Sequence, residues 1–192
     1  MPDLATALSP HLQPDPRPAV APGDRLAAVL AILVDEDTPS LVLTQRAAGM
    51  SRHAGEISFP GGLSEPGDPD LRTTALRETE EELGIAPAEL RVLGAMDPIH
   101  TFVSATLVTP FVGLADSRPT MTMSVHEIAA VHVPTLAELA GVETQRVLRE
   151  EGGTTWRGWW YELPDATVWG ATGSMLHGLL DLLRREAPWT LR

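Results

Sequence analysis

The stretch RHAGEISFPGGLSEPGDPDLRTTALRETEEELGI, residues 52–85, decides the fold. It reads as a short strand, Glu56–Gly62, stopped by proline and two glycines, followed by a helix with signals at both ends. Asp68 suits the N-cap, Pro69 the first helical position and Gly84 the residue just past the C-terminus, which predicts a helix over about Asp68 to Leu83. Leu71, Thr74, Ala75 and Leu83 give it an apolar inner stripe. Its last turns carry Glu78, Glu80, Glu81 and Glu82 beside Arg77. Glu78 precedes Glu81 and Glu82 by three and four residues, so these three share a face while Glu80 points away.

Helix stability argues against that grouping. Each like-charge pair at this spacing costs roughly 0.2–0.5 kcal/mol, and acids near the negative end of the macrodipole a further ~0.3–1 kcal/mol each. A run of acids by itself is most simply a solvated face. Converging carboxylates are also the donors a hard cation such as Mg²⁺ requires, and a bound cation turns repulsion into coordination. Arg77 offsets part of the charge. The glycines of FPGG let a loop pass close to the acidic face, although a tight turn explains them equally well. Together they outline a pocket for metal and phosphate.

Outward from this stretch the elements alternate. RLAAVLAILV and LVLT read as two strands joined at DEDTPS, the first apolar on both faces and therefore central. LRVLGAM, TLVTPFVGLA and EIAAVHVP read as strands, TLAELA as a short helix and TTWRGWWYELP as a further strand. Leu176, Leu179, Leu180 and Leu183, with Arg184 and Arg185 in the last turn, mark an amphipathic C-terminal helix. Residues 1–24 are read as a Pro-rich arm with one helical turn near Leu4 to Leu8, and residues 25–192 as one domain. The fold class is α/β (α+β).

Composition bounds the function. With Lys+Arg 14 against Asp+Glu 26, the net charge of −12 lacks the basic footprint of nucleic-acid binding. An anionic substrate then needs locally placed cations, from arginines or metal. The absence of cysteine removes disulfides, thiolate metal sites and thiol nucleophiles. The longest apolar run, Leu26 to Val34, is too short to span a bilayer, so a cytoplasmic protein without membrane partners is expected. The oligomeric state is open.

Gly62, five residues, Asp68, and then Arg77-Glu78-Thr79-Glu80-Glu81-Glu82-Leu83-Gly84-Ile85 resembles the Nudix box, GX5EX7REUXEEXGU, where U is a bulky aliphatic residue. It departs in two places: eight residues rather than seven separate Asp68 from Arg77, and Thr79 fills the first U position. LTQRA (Leu43 to Ala47) and RHAGEISFPGG (Arg52 to Gly62) resemble the signature of the coenzyme A pyrophosphatase group of Nudix hydrolases, with weaker similarity through LGAMDPIHT and VWGATGSML. The resemblance implies an α/β/α sandwich with a mixed central sheet, and Mg²⁺- or Mn²⁺-dependent hydrolysis of coenzyme A to adenosine 3′,5′-bisphosphate and 4′-phosphopantetheine. It implies Glu78 and Glu82 as metal ligands, Glu81 as a third ligand or the group that orients or deprotonates water, and Arg77 as the residue that orients the glutamates. Arg46, Arg52, His53, Gly61 and Gly62 are the candidates for contact with the substrate, arginine offering the forked donors suited to phosphate.

The same box serves hydrolases of ADP-ribose, dinucleoside polyphosphates and nucleoside triphosphates; RHAGEISFPGG argues for coenzyme A instead. An isopentenyl diphosphate isomerase needs a catalytic cysteine, which this chain lacks. The box keeps its acids, which argues against a non-catalytic sensor, and Arg77 with the glycines argues against a structural Ca²⁺ helix. The tryptophans are left out of the predicted site.

Overall fold

A computed structural model describes residues 3–48, 55–101, 105–151 and 154–192. Its centre is β1 (Arg25–Val34), whose last eight residues are buried, as expected of a strand apolar on both faces. It runs parallel to β7 (Thr106–Ala115) in register along its whole length, and antiparallel to β2 (Ser40–Arg46) and β4 (Gly61–Leu63) on its other side. The short β3 (Ile57–Ser58), with β5 (Arg91–Ala95), β6 (Ile99–Thr101) and β8 (Ile128–His132), completes a mixed eight-stranded sheet.

Two apolar layers cover this sheet. On one face, α2 (Leu71–Leu83) sets Leu71, Ala75 and Leu83 against Ala28, Leu30, Ile32, Val42 and Phe111. On the other, α4 (Gly170–Glu186) buries Leu176, Leu179, Leu180 and Leu183 among Ala31, Leu33, Leu43 and Phe59. This is the expected α/β/α sandwich. α3 (Leu136–Val142) joins the α4 layer through Leu136 and Leu139. So does a separate antiparallel sheet of β9 (Glu143–Glu151), β10 (Thr154–Leu163) and β11 (Ala166–Val168).

β9 was not foreseen, because ETQRVLREE is polar with no alternating apolar face; its conformation comes from pairing with aromatic-rich β10. Glu143, at its start, is a hub. It accepts hydrogen bonds from the Tyr161 hydroxyl at 2.7 Å and Arg184 at 2.6 Å, and pairs with His177 at 3.0 Å, tying the small sheet to α4. Burial works to raise its carboxyl, but the hydrogen bonds from Tyr161, His177 and Arg184 outweigh it and hold it below the usual range.

The N-terminal segment is more than an arm. Leu4–Leu8 forms α1, as expected, and Leu4, Leu8 and Leu12 are buried in the α4-side core. Gln13 then exchanges both backbone hydrogen bonds with Ala95, each at 2.8 Å, and closes part of the β5 edge. Gly94 makes room, since a Cβ there would lie 2.8 Å from Leu12. The prolines obscured a four-residue leucine repeat whose partners lie far along the chain. Among the described residues no helix is long and apolar enough to cross a membrane.

Candidate active site

Two expectations about the acidic helix change. Its N-cap is Asp70, whose Oδ1 accepts the Thr73 amide at 2.7 Å, and not Asp68. Pro69 accordingly lies outside the helix. The C-terminal boundary is as expected, with Gly84 left-handed at φ 68°. The glycines of FPGG are not a loop either. Gly61 and Gly62 begin β4 and pair with Val29 and Ala28. At Gly61, φ is +148° and a Cβ would lie 2.3 Å from the Ala28 carbonyl oxygen, so only glycine fits.

β4 passes directly over the carboxylates. A Cβ on Gly62 would lie 2.5 Å from Glu78 Cδ, so the missing side chain is what admits the Glu78 carboxylate. The Gly61 amide donates to Glu82 Oε2 at 3.1 Å. Glu82 is 2% exposed. Arg46, at the end of β2, brings Nη1 to 3.6 Å from Glu82 Oε1, too long for a tight ion pair. Burial therefore prevails over these partners and pushes the Glu82 carboxyl up to about 7. Burial also raises Glu78, against the hydrogen bond from Arg77.

Arg77 holds the rest together. Its Nε and Nη2 donate to Asp68 at 3.0 and 3.1 Å, its Nη1 to both Glu78 and Glu81 at 3.0 Å, and its Nη2 to the Leu63 carbonyl at 3.1 Å. Glu81 is exposed and so is Glu80, but Glu80 makes none of these contacts. The structure thus brings together Arg46, Gly61, Gly62, Arg77, Glu78, Glu81 and Glu82. Arg52 and His53 lie outside the described residues.

Sequence reasoning missed two participants. Asp68, read as a cap, is the partner of Arg77; the signal available was its place as the acid after Gly62. Glu127 gave no signal, lying far downstream in an irregular segment. Backbone bonds from Thr122 to the Leu83 carbonyl at 2.7 Å and from Ser124 to the Glu82 carbonyl at 2.9 Å strap that segment to the end of α2. The Glu127 carbonyl accepts from Ala47, next to Arg46, at 2.7 Å. From there its charge contributes to raising both Glu78 and Glu82.

Among the described residues no three acidic or imidazole groups already enclose a point as ion ligands do. The donor chemistry nevertheless fits a hard divalent cation. All the acids offer carboxylate oxygens, Glu82 is buried with its charge incompletely compensated, and the missing side chain of Gly62 leaves room for the Glu78 carboxylate.

Comparison with known proteins follows the same lines. The family described as NUDIX domain matches residues 24–151. A protein of Photorhabdus laumondii named "Uncharacterized Nudix hydrolase NudL" is 33% identical over 178 residues, covering 92% of this chain and 94% of that protein. One of the same name from Salmonella paratyphi B is 38% identical over 160 residues, covering 81% of each. Among solved structures, a MutT/nudix family protein from Enterococcus faecalis superposes with a TM-score of 0.52 at 18% identity, over 96% of this chain and 69% of that one. The NUDIX domain of Shewanella oneidensis NrtR complexed with ADP ribose gives 0.51 at 18% identity, over 63% and 79%. At such identities the structural likeness speaks for the fold alone.

Proposed function

The chain belongs to the Nudix hydrolase family, and from that premise we propose that it hydrolyses the diphosphate bond of coenzyme A and its acyl or oxidised derivatives. The products are adenosine 3′,5′-bisphosphate and 4′-phosphopantetheine. The observation that carries the diphosphate chemistry is the set of carboxylates on one face of α2, Glu78 and Glu82 lying against Gly62 and Gly61 and Glu81 joined to Glu78 by Arg77. The choice of coenzyme A rests on the segment RHAGEISFPGG that leads into them. A cytoplasmic location is proposed with it.

A diphosphate resists hydrolysis because its negative charge repels the nucleophile. Nudix hydrolases generally use divalent cations; here Glu78, Glu82 and Glu81 would hold Mg²⁺ or Mn²⁺, which when bound neutralises phosphoryl charge and lowers the pKa of water. Arg77 keeps Glu78 and Glu81 at a fixed separation, so their oxygens need no reorganisation when substrate arrives. Glu81, exposed on that face, orients the attacking water or takes its proton. Glu127 adds negative charge that Glu78 and Glu82 both feel. Water adds to one phosphorus, the bridging P–O bond breaks, and no covalent enzyme intermediate forms. Arg46, beside Glu82, offers the cation for a phosphate of the substrate.

The test incubates the protein with Mg²⁺ and, separately, coenzyme A, ADP-ribose and nucleoside triphosphates, with products identified by mass spectrometry. Adenosine 3′,5′-bisphosphate from coenzyme A is expected. Turnover of ADP-ribose or triphosphates with coenzyme A left intact overturns the substrate assignment.

A further inference from the structure

The small sheet has two unlike faces. The inner one buries Tyr161 and stacks Trp159 on His177 of α4, with ring centroids 3.6 Å apart. The outer one leaves large apolar side chains in water: Leu148 is 52% exposed, and Trp156 and Trp169 are each 45% exposed. Trp169 directly follows β11, whose Val168 pairs with Tyr161, and stands beside Trp160 with the rings 17° from parallel and 6.1 Å apart. The Arg146 guanidinium lies 5.8 Å from the Trp160 centroid and donates to Glu162 at 2.6 Å. Gly158 keeps this surface flat, because a Cβ there would lie 2.9 Å from both Leu148 Cδ1 and Trp160 Cζ3.

We propose that Trp169, backed by Trp160, is the platform on which the adenine ring of the nucleotide substrate stacks, with Arg146 beside it for the attached negative charge. Three observations select this occupant. An indole ring set between β11 and α4, stacked beside Trp160 and half open to water, matches the flat π-face of a purine. Arg146 and Arg149, which lies over Trp156, set two guanidinium groups on one face of a chain whose net charge is −12, and Arg146, held by the exposed Glu162, can exchange that carboxylate for an anionic ligand. The platform also borders the strand that leads to the site: β11 packs against β3, and the chain runs on from β3 through Phe59 and Pro60 into Gly61. The inference rests on the reading of the site as a nucleoside diphosphate hydrolase.

Tryptophan emission titrated with adenosine 3′,5′-bisphosphate, without metal, tests it on wild type, Trp169→Ala, Trp169→Phe and Trp156→Ala. Quenching is expected in wild type and Trp156→Ala, and Trp169→Ala should bind about tenfold more weakly. Trp169→Phe keeps a ring and should bind within a few-fold of wild type, with the quench reduced. In turnover of coenzyme A, Trp169→Ala should raise KM about tenfold at unchanged kcat. Unaltered affinity in Trp169→Ala, no quenching in wild type, or a Trp169→Ala effect confined to self-association overturns the proposal. If coenzyme A is inert but another adenine nucleotide is cleaved, with its KM raised by Trp169→Ala, the substrate reading falls and the platform stands. If coenzyme A is cleaved with the same KM in Trp169→Ala, the reverse holds.

Discussion

Asp68 grips Arg77 at two points, Oδ1 accepting from Nε at 3.0 Å and Oδ2 from Nη2 at 3.1 Å. A guanidinium held by one edge cannot rotate, so its remaining amine, Nη1, is aimed at Glu78 and Glu81. The hydrogen bond from Arg77 outweighs burial and holds the Asp68 carboxyl well below the usual carboxylate range. Asp68 thus acts on the glutamates through Arg77.

Replacing Asp68 by Asn should leave Arg77 charged but free to turn. We expect kcat to fall about ten- to a hundredfold with KM nearly unchanged, and stability to fall by about 1–3 kcal/mol. Arg77→Lys should lose as much or more, because an ammonium cannot serve three carboxylates with a planar fork. Steady-state kinetics and urea unfolding measure both. Wild-type kcat in Asp68→Asn would show that the grip does not orient the site.

Glu82 links metal-free stability to pH. Its carboxyl stands at about 7 in the fold against an ordinary 4.5, so between those values the folded chain holds a proton that the unfolded chain has released. The stability it contributes is complete below about pH 4.5 and is lost as pH rises through 7, on the order of 3 kcal/mol in all. Glu78 is shifted the same way, whereas Asp68, depressed, contributes above its ordinary pKa and loses that contribution in acid. Glu82→Gln should flatten the slope, unfolding later than wild type at pH 8 in EDTA, while turnover falls about a thousandfold. Mg²⁺ competes with that proton and should raise the wild-type melting temperature more at pH 8 than at pH 6. Denaturation curves of equal slope in wild type and Glu82→Gln would contradict this.

Gly62→Ala should separate the site from the fold. The new methyl would lie 2.6 Å from each Glu78 carboxylate oxygen, so Glu78 must move. The Gly62 backbone is not left-handed, and alanine can adopt it, so the damage stays local. We expect kcat/KM to drop about a hundredfold, with stability changed by no more than about 1 kcal/mol. Gly61→Ala, in contrast, collides with the backbone of β1 and should unfold more readily. Near-normal activity in Gly62→Ala would mean that Glu78 does not need its present position.

The sequence by itself determined the helix that carries the acids, its C-terminal glycine, the buried central strand and the leucine face of α4. These depend on periodicity and on caps that act within a turn or two, so they are written in consecutive residues. The division of Glu78, Glu81 and Glu82 from Glu80 followed for the same reason. Only the tertiary structure decided the rest. Asp68 left the N-cap because Arg77 binds both its oxygens, Gly61 and Gly62 became a strand because β1 lies against them, and the Glu127 loop lies against the end of α2 because backbone hydrogen bonds from Thr122 and Ser124 hold it there. Leu4, Leu8 and Leu12 joined the core through partners distant along the chain. Such contacts are set by how the sheet brings remote backbone together, and hydrogen bonds and buried area formed that way leave no period in the sequence to be read.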